Sequence, residues 1–237
     1  MNNTCNSSSS HSARNQSCLR SIAALVWAGV LLAGCGTVSV SEQTYLGSAY
    51  QPKNIFRQSA TLPESLRRVA VLPLTTAASD AASEAGRGDL EATLRRELSK
   101  RAAFELVEVS PAQLQQWTGR SSWAADEKLP ADLFAKLREA LACDAVLFSR
   151  LTHYQPYKPI VIGWRFNLVD SREPKTWWSA DEVFDSGQAG VVNGARRYSL
   201  EHFKESASAT DSQFILNSPQ RFGQYTLHTL LETVPTR

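Results

Sequence analysis

Ile160, Ile162, Trp164, Phe166 and Leu168 alternate with Val161, Gly163, Arg165, Asn167 and Val169. A repeat of two sends successive side chains to opposite sides of an extended chain, so this stretch reads as a half-buried strand. Ala145 to Tyr154 before it and Thr176 to Phe184 after it are also strand-like. The turns between them are Tyr154 to Pro159 and Asp170 to Lys175. Connections that short join antiparallel neighbours, which predicts a three-strand meander.

Upstream the period changes. Val69-Ala70-Val71-Leu72-Pro73-Leu74 is a short apolar run closed by a breaker, a buried strand. A small-residue loop is expected from Thr75 to Gly88. Leu90, Leu94 and Leu98 then recur every four residues and predict a helix with one apolar stripe. On its outer face Glu91 with Arg95 and Glu97 with Arg101 stand at i,i+4. Phe104 to Val109 reads as a strand. Ser110-Pro111 starts a short helix that Gly119 ends, because a hydroxyl caps the first turn and glycine accepts the left-handed exit. Leu133, Phe134, Leu137, Ala140 and Leu141 predict the next helix. A weaker helix is expected near Val191 to Phe203. Ser218-Pro219 opens a last one carrying Leu227, Leu230, Leu231 and Val234.

The expected architecture is α/β (α+β). It has a mixed sheet of about five strands, in the order β-α-β-α-α-β-β-β followed by C-terminal helices. Helices cover at least one face.

The N-terminal region follows another logic. Ser21 to Gly34 is apolar and uncharged; Arg14 and Arg20 precede it, with no acidic residue before it. A positive flank, a short apolar core and small residues at its end make a secretory signal. The run is shorter than the roughly 20 residues that a spanning helix needs. It ends in Leu32-Ala33-Gly34-Cys35, which resembles the lipobox of bacterial lipoproteins. That resemblance implies cleavage between Gly34 and Cys35, diacylglycerol on the Cys35 thiol, and acylation (palmitate or a similar chain) of the new N-terminus. Gly36 stands where an aspartate would favour inner-membrane retention. This implies the periplasmic face of the outer membrane. The expected layout is signal peptide 1–34, lipidated N-terminus and flexible tether 35–66, and a single globular domain 67–237. A flexible tether of that length reaches about 30 Å on average and at most about 100 Å.

Composition narrows the partners. Removing Arg14 and Arg20 leaves 23 basic against 23 acidic residues, so no basic excess points to nucleic acid. Cys5 and Cys18 leave with the signal and Cys35 carries lipid. Cys143, in an apolar run, is then a buried small residue without a disulfide partner.

Catalytic and metal motifs are missing from the sequence: no G-x-S-x-G, no P-loop, no H-E-x-x-H, no EF-hand loop. No enzyme activity, cofactor or metal is expected. His153, His202 and His228 have no ligand spacing. Asp181, Glu182 and Asp185 are expected to be solvated; as a hydrolase pair, Asp181 and Asp185 would need to oppose each other across a cleft. Arg87-Gly88-Asp89 is expected in the loop before the first helix. The best contact candidates are aromatic: Trp177, taken as the exposed member of the Trp177-Trp178 pair, with Tyr154 and Tyr157 beside it.

The phrases RVAVLPL, CDAVLFSRLTHYQPY and FNLVDSREPKTWWSADEVFD, in this element order, resemble one group of envelope proteins over about Arg68 to Asp185. The group comprises the curli-secretion lipoprotein, lipoprotein activators of peptidoglycan synthases, and the N-terminal domain of the Tol-system propeller protein. Its motifs are core positions: the entry strand, Asp144, Asp170 and Trp178. The resemblance implies envelope assembly, secretion or regulation through contact with envelope proteins or self-association, without cofactors. Its members include a secretion-pore subunit and regulators of peptidoglycan synthesis. A pore subunit adds membrane-crossing hairpins, with strands of about 9–11 residues, and no inserted pair of that kind occurs here.

Overall fold

The computed structural model describes residues 47–101, 104–203 and 211–236. One sheet organises them. Its strands are β1 (Ile55–Arg57), β2 (Arg68–Val71), β3 (Thr75–Thr76), β4 (Glu105–Glu108), β5 (Ala145–Gln155), β6 (Val161–Asp170) and β7 (Thr176–Asp185). The order across the sheet is β1-β7-β6-β5-β2-β4, with β3 adding to β5. β2 is parallel to both β4 and β5, whereas β5, β6, β7 and β1 are antiparallel. The mixed α/β class and the late meander are as expected. The strand count rises from five to seven through β1 and β3, each too short to show a period.

Helices α1 (Ala81–Arg101), α4 (Ala189–His202) and α5 (Pro219–Leu231) cover one face; a 3₁₀ helix (Asp211–Asn217) lies between the last two in sequence. Helices α2 (Pro111–Thr118) and α3 (Leu133–Leu141) cover the other face over β2, β5 and the end of β6. The larger core stacks Trp164 on Phe166 and Phe166 on Trp178, with ring centroids 5.9 and 5.8 Å apart. Both buried indoles reach hydroxyls on the α5 side: Trp164 Nε1 donates to Thr226 at 2.9 Å and Trp178 Nε1 to Thr233 at 3.0 Å. Large aromatic area is thereby buried without an orphaned N–H. Cys143 is buried, and its burial pushes the thiol pKa up, as fits a packing residue.

Three local expectations are corrected. The loop placed at 75–88 is helical from Ala81. Asp80 receives the Ser83 N–H at 3.0 Å and so caps the turn, and the alanines that follow favour helix. Arg87-Gly88-Asp89 therefore lies inside α1. Glu97 is buried and pairs with Lys100 at 2.7 Å in place of Arg101. Residues 47–66, expected as tether, run along the domain. β1 pairs with β7, Leu62 and Leu66 are buried, and Leu62 N–H donates to the Thr236 carbonyl at 2.8 Å. The boundary expected at residue 67 falls earlier, because scattered apolar residues fill gaps without any visible period.

Ser110 and Gln113 form a capping box, and Gly119 closes α2 with φ of 80°. Both ends were readable because their chemistry is local.

Candidate interaction site

Gly34 and Cys35, the expected cleavage and lipidation residues, lie outside the described residues. Gly47 is twelve positions after Cys35. From there the chain follows α4. Arg197 Nη2 donates to the Gly47 carbonyl at 3.5 Å, Asn193 to that of Ser48 at 3.3 Å, and Tyr50 N–H to that of Gly190 at 2.9 Å. The segment is then held by one carboxylate. Glu182, buried on β7, accepts the Tyr50 hydroxyl, the Lys53 N–H, and the Asn54 N–H at 2.6 Å. Burial and the nearby Glu182 charge keep Tyr50 neutral by raising its pKa. Glu182, expected among the solvated acids, is thus an internal clasp. Only alternation with Trp178, Ala180 and Phe184 could have revealed its inward side.

Tyr154, Tyr157 and Trp177 do not come together. Tyr154 pairs with Ile162, and Trp177 precedes Trp178, which pairs with Leu168. Six positions along β6 separate those registers, about 20 Å. Tyr154 packs over Gly86 of α1, where a Cβ would overlap its ring, and its hydroxyl meets Asp89 at 3.4 Å. Burial pushes its pKa up to about 12. Trp177 is half-buried: its Nε1 donates to Asp170 at 3.1 Å, and the Lys175 ammonium sits 3.9 Å from a ring centroid. Tyr157, in the β5–β6 turn, is 80% exposed. Of the three, it alone has the expected exposure.

A surface that sequence reasoning missed lies on the sheet face beyond α2 and α3. Arg150, Arg165 and Asp181 are register neighbours across β5, β6 and β7. Asp126, from the loop after α2, grips Arg150 at 2.6 Å and Arg165 at 3.0 Å, while Arg165 also holds Asp181 at 2.7 Å. Next to this charged ladder, Phe56 on β1 is 48% exposed and Val183 on β7 is 44% exposed. Two positions on neighbouring strands thus present apolar side chains where alternation would put polar ones.

The Asp181–Asp185 pair cannot act as hydrolase carboxylates. They stand four residues apart on one strand, about 13 Å, beyond the roughly 5–9.5 Å between paired glycosidase acids. Asp181 is taken by Arg165, and Asp185 accepts the Gly187 N–H at 2.7 Å.

His202 and His228 meet although 26 positions apart in sequence; their rings are 4.8 Å apart beside Tyr198. Glu232 is 3.4 Å from His228, and among the described residues no three metal-ligating side chains gather there. Burial lowers the His228 pKa, and burial raises that of Tyr198. A cavity of about 390 Å³ opens beside them between residues 49–57, α4 and α5. Among the described residues its walls offer tyrosine and threonine hydroxyls with the His228 imidazole, in a mixed-charge rim. Among the described residues no helix is long and apolar enough to cross a membrane.

No family model and no curated protein matches the sequence. Solved structures do. The lipoprotein GNA1162 from Neisseria meningitidis matches at 19% identity over 59% of this chain and 99% of that one, with TM-score 0.42. The PelC dodecamer from Paraburkholderia phytofirmans matches at 13% identity over 77% and 98%, TM-score 0.39. The LpoB C-terminal domain from Escherichia coli matches at 19% identity over 50% and 82%, TM-score 0.33. The solved structures this chain is similar to thus include a bacterial lipoprotein.

Proposed function

We propose that this chain is a lipid-anchored envelope lipoprotein, held at the periplasmic face of the outer membrane through Cys35, that works by protein contact and not by catalysis. The observation that carries the reading is Leu32-Ala33-Gly34-Cys35 directly after an uncharged apolar run. Two or more acyl chains anchor stably, at about 0.8 kcal/mol for each buried methylene. The chain already lies on the domain at Gly47, so at most twelve residues separate Cys35 from it, and twelve extended residues span about 40 Å. The domain therefore works close to the bilayer. Asp126, Asp181 and Glu182 are engaged in the ladder and the clasp. The exposed Phe56 and Val183, and Tyr157 in its turn, supply apolar contact area for an envelope protein.

The experiment is site-specific photo-crosslinking in intact envelopes, with the crosslinker at Val183 and, as control, at Arg96 on the opposite side. The reading predicts one discrete adduct from Val183 and none from Arg96. No adduct from Val183, with a monomer by sedimentation in detergent, would overturn it.

A further inference from the structure

On α4, Val192, Arg196 and Leu200 recur every four residues and form one row along the helix. Val192 and Arg196 wall a cavity of about 370 Å³ whose other sides include Lys158, Ser186, Leu216 and Asn217. Among the described residues two cations line it and no carboxylate does. Neither cation has an ion-pair partner among the described residues, and Arg196 Nε is buried without a hydrogen-bond acceptor. Ser186 Oγ accepts the Ile160 N–H at 2.7 Å, which leaves its own proton free to donate. The neighbouring Asp185 carboxylate accepts the Gly187 N–H at 2.7 Å. Apolar side chains stand on the same two elements. Leu200 continues the α4 row and Phe214 lies on the 3₁₀ helix; both are about half exposed, and the Arg221 guanidinium sits 3.3 Å from the Phe214 ring centroid.

A buried guanidinium N–H without an acceptor is costly, so the cavity is set for a ligand that brings anionic oxygens. Phosphate suits a guanidinium and an ammonium together, since its oxygens take several charge-assisted hydrogen bonds at once. We propose that this cavity binds the phosphate of an anionic phospholipid headgroup, with Leu200 and Phe214 against the acyl-chain boundary. The tether favours lipid as the source. Gly47, twelve positions after Cys35, is bonded to Arg197, the residue after Arg196, on the helix that carries the cavity. Bilayer surface lies within about 40 Å of that point. Anionic leaflets also attract basic residues held near them. The inference rests on the Cys35 anchor and adds a second contact with the same membrane.

The test uses the full lipidated protein in a neutral detergent, titrated calorimetrically with dihexanoyl phosphatidylglycerol and, separately, with inorganic phosphate. Saturable binding of the lipid is expected, weakened about tenfold or more by Lys158→Gln combined with Arg196→Gln. Binding is expected to survive Arg197→Gln, which removes a neighbouring surface cation. Lys158→Gln alone, in an exposed turn, reports the loss if the double variant fails to fold. Absence of binding, equal loss in Arg197→Gln, or inorganic phosphate bound as tightly as the lipid would each overturn the proposal. A mass spectrum of the same sample reads the anchor separately: an unmodified Cys35 sinks the anchor while the titration still reports on the cavity.

Discussion

Arg150 and Arg165 stand directly opposite each other on β5 and β6, and the carboxylate of Asp126 joins them, 2.6 Å from the first and 3.0 Å from the second. Like charges in register repel, so the loop carrying Asp126 is fastened to the sheet by the pair it neutralises. Asp126→Asn should lower stability by about 1 kcal/mol, a modest loss because the groups are partly exposed. Arg165→Gln should remove most of that penalty. Urea melts of both single variants and the double variant check this; additive losses would contradict it.

Gly86 and Tyr154 are matched in size. A methyl group at Gly86 would overlap the tyrosine ring, so Gly86→Ala should destabilise by about 1–3 kcal/mol through overpacking, despite alanine's better helix propensity. Adding Tyr154→Leu should restore part of the loss. Thermal melts showing Gly86→Ala to be stabilising in the wild-type background would refute the contact.

Glu182 is expected to decide whether residues 50–57 stay on the sheet. Glu182→Ala leaves the Lys53 and Asn54 N–H groups without their acceptor, and should cost about 2–3 kcal/mol. Amide exchange should quicken across 50–57 and remain slow in α3. Unchanged exchange in that segment would show that the clasp is dispensable.

His228 gives the protein an acid-side weakness. Burial lowers its folded pKa from 6.5; the Glu232 and Glu97 charges oppose this, while His202 and Lys100 add to it. Below about pH 6.5 the unfolded chain then binds a proton that the folded one resists, so this contribution to stability is complete above that pH and falls as pH drops. His228→Gln should flatten the decline in Tm between pH 7.5 and 5.5. Parallel curves for wild type and variant would contradict the shift.

The sequence made the central elements legible where physics is local or periodic. The β6 alternation, the Ser110–Gln113 box and the Leu90-Leu94-Leu98 stripe each carry their cause within a few residues. β1 and β3 were invisible because two or three residues show no period. The start of α1 was hidden because its glycines look like loop until Tyr154 is seen packed against Gly86. The contact site was the least legible. Alternation leaves open whether Trp177 is exposed or covered, and Asp170 and Lys175 bracket it, whereas Phe56 and Val183 emerge only once the sheet order shows which side α2 and α3 leave uncovered. The Arg196 cavity joins residues from the β5–β6 turn, the end of β7, α4 and the 3₁₀ helix, a combination no spacing announces.

Where the molecule is tethered decides what it can meet, and intact-mass and peptide mass spectrometry of the native protein reads that directly. The prediction is a processed chain beginning at Cys35 with its sulfur diacylglyceryl-modified. A free Cys35 thiol, or a chain still carrying residues 1–34, would contradict it.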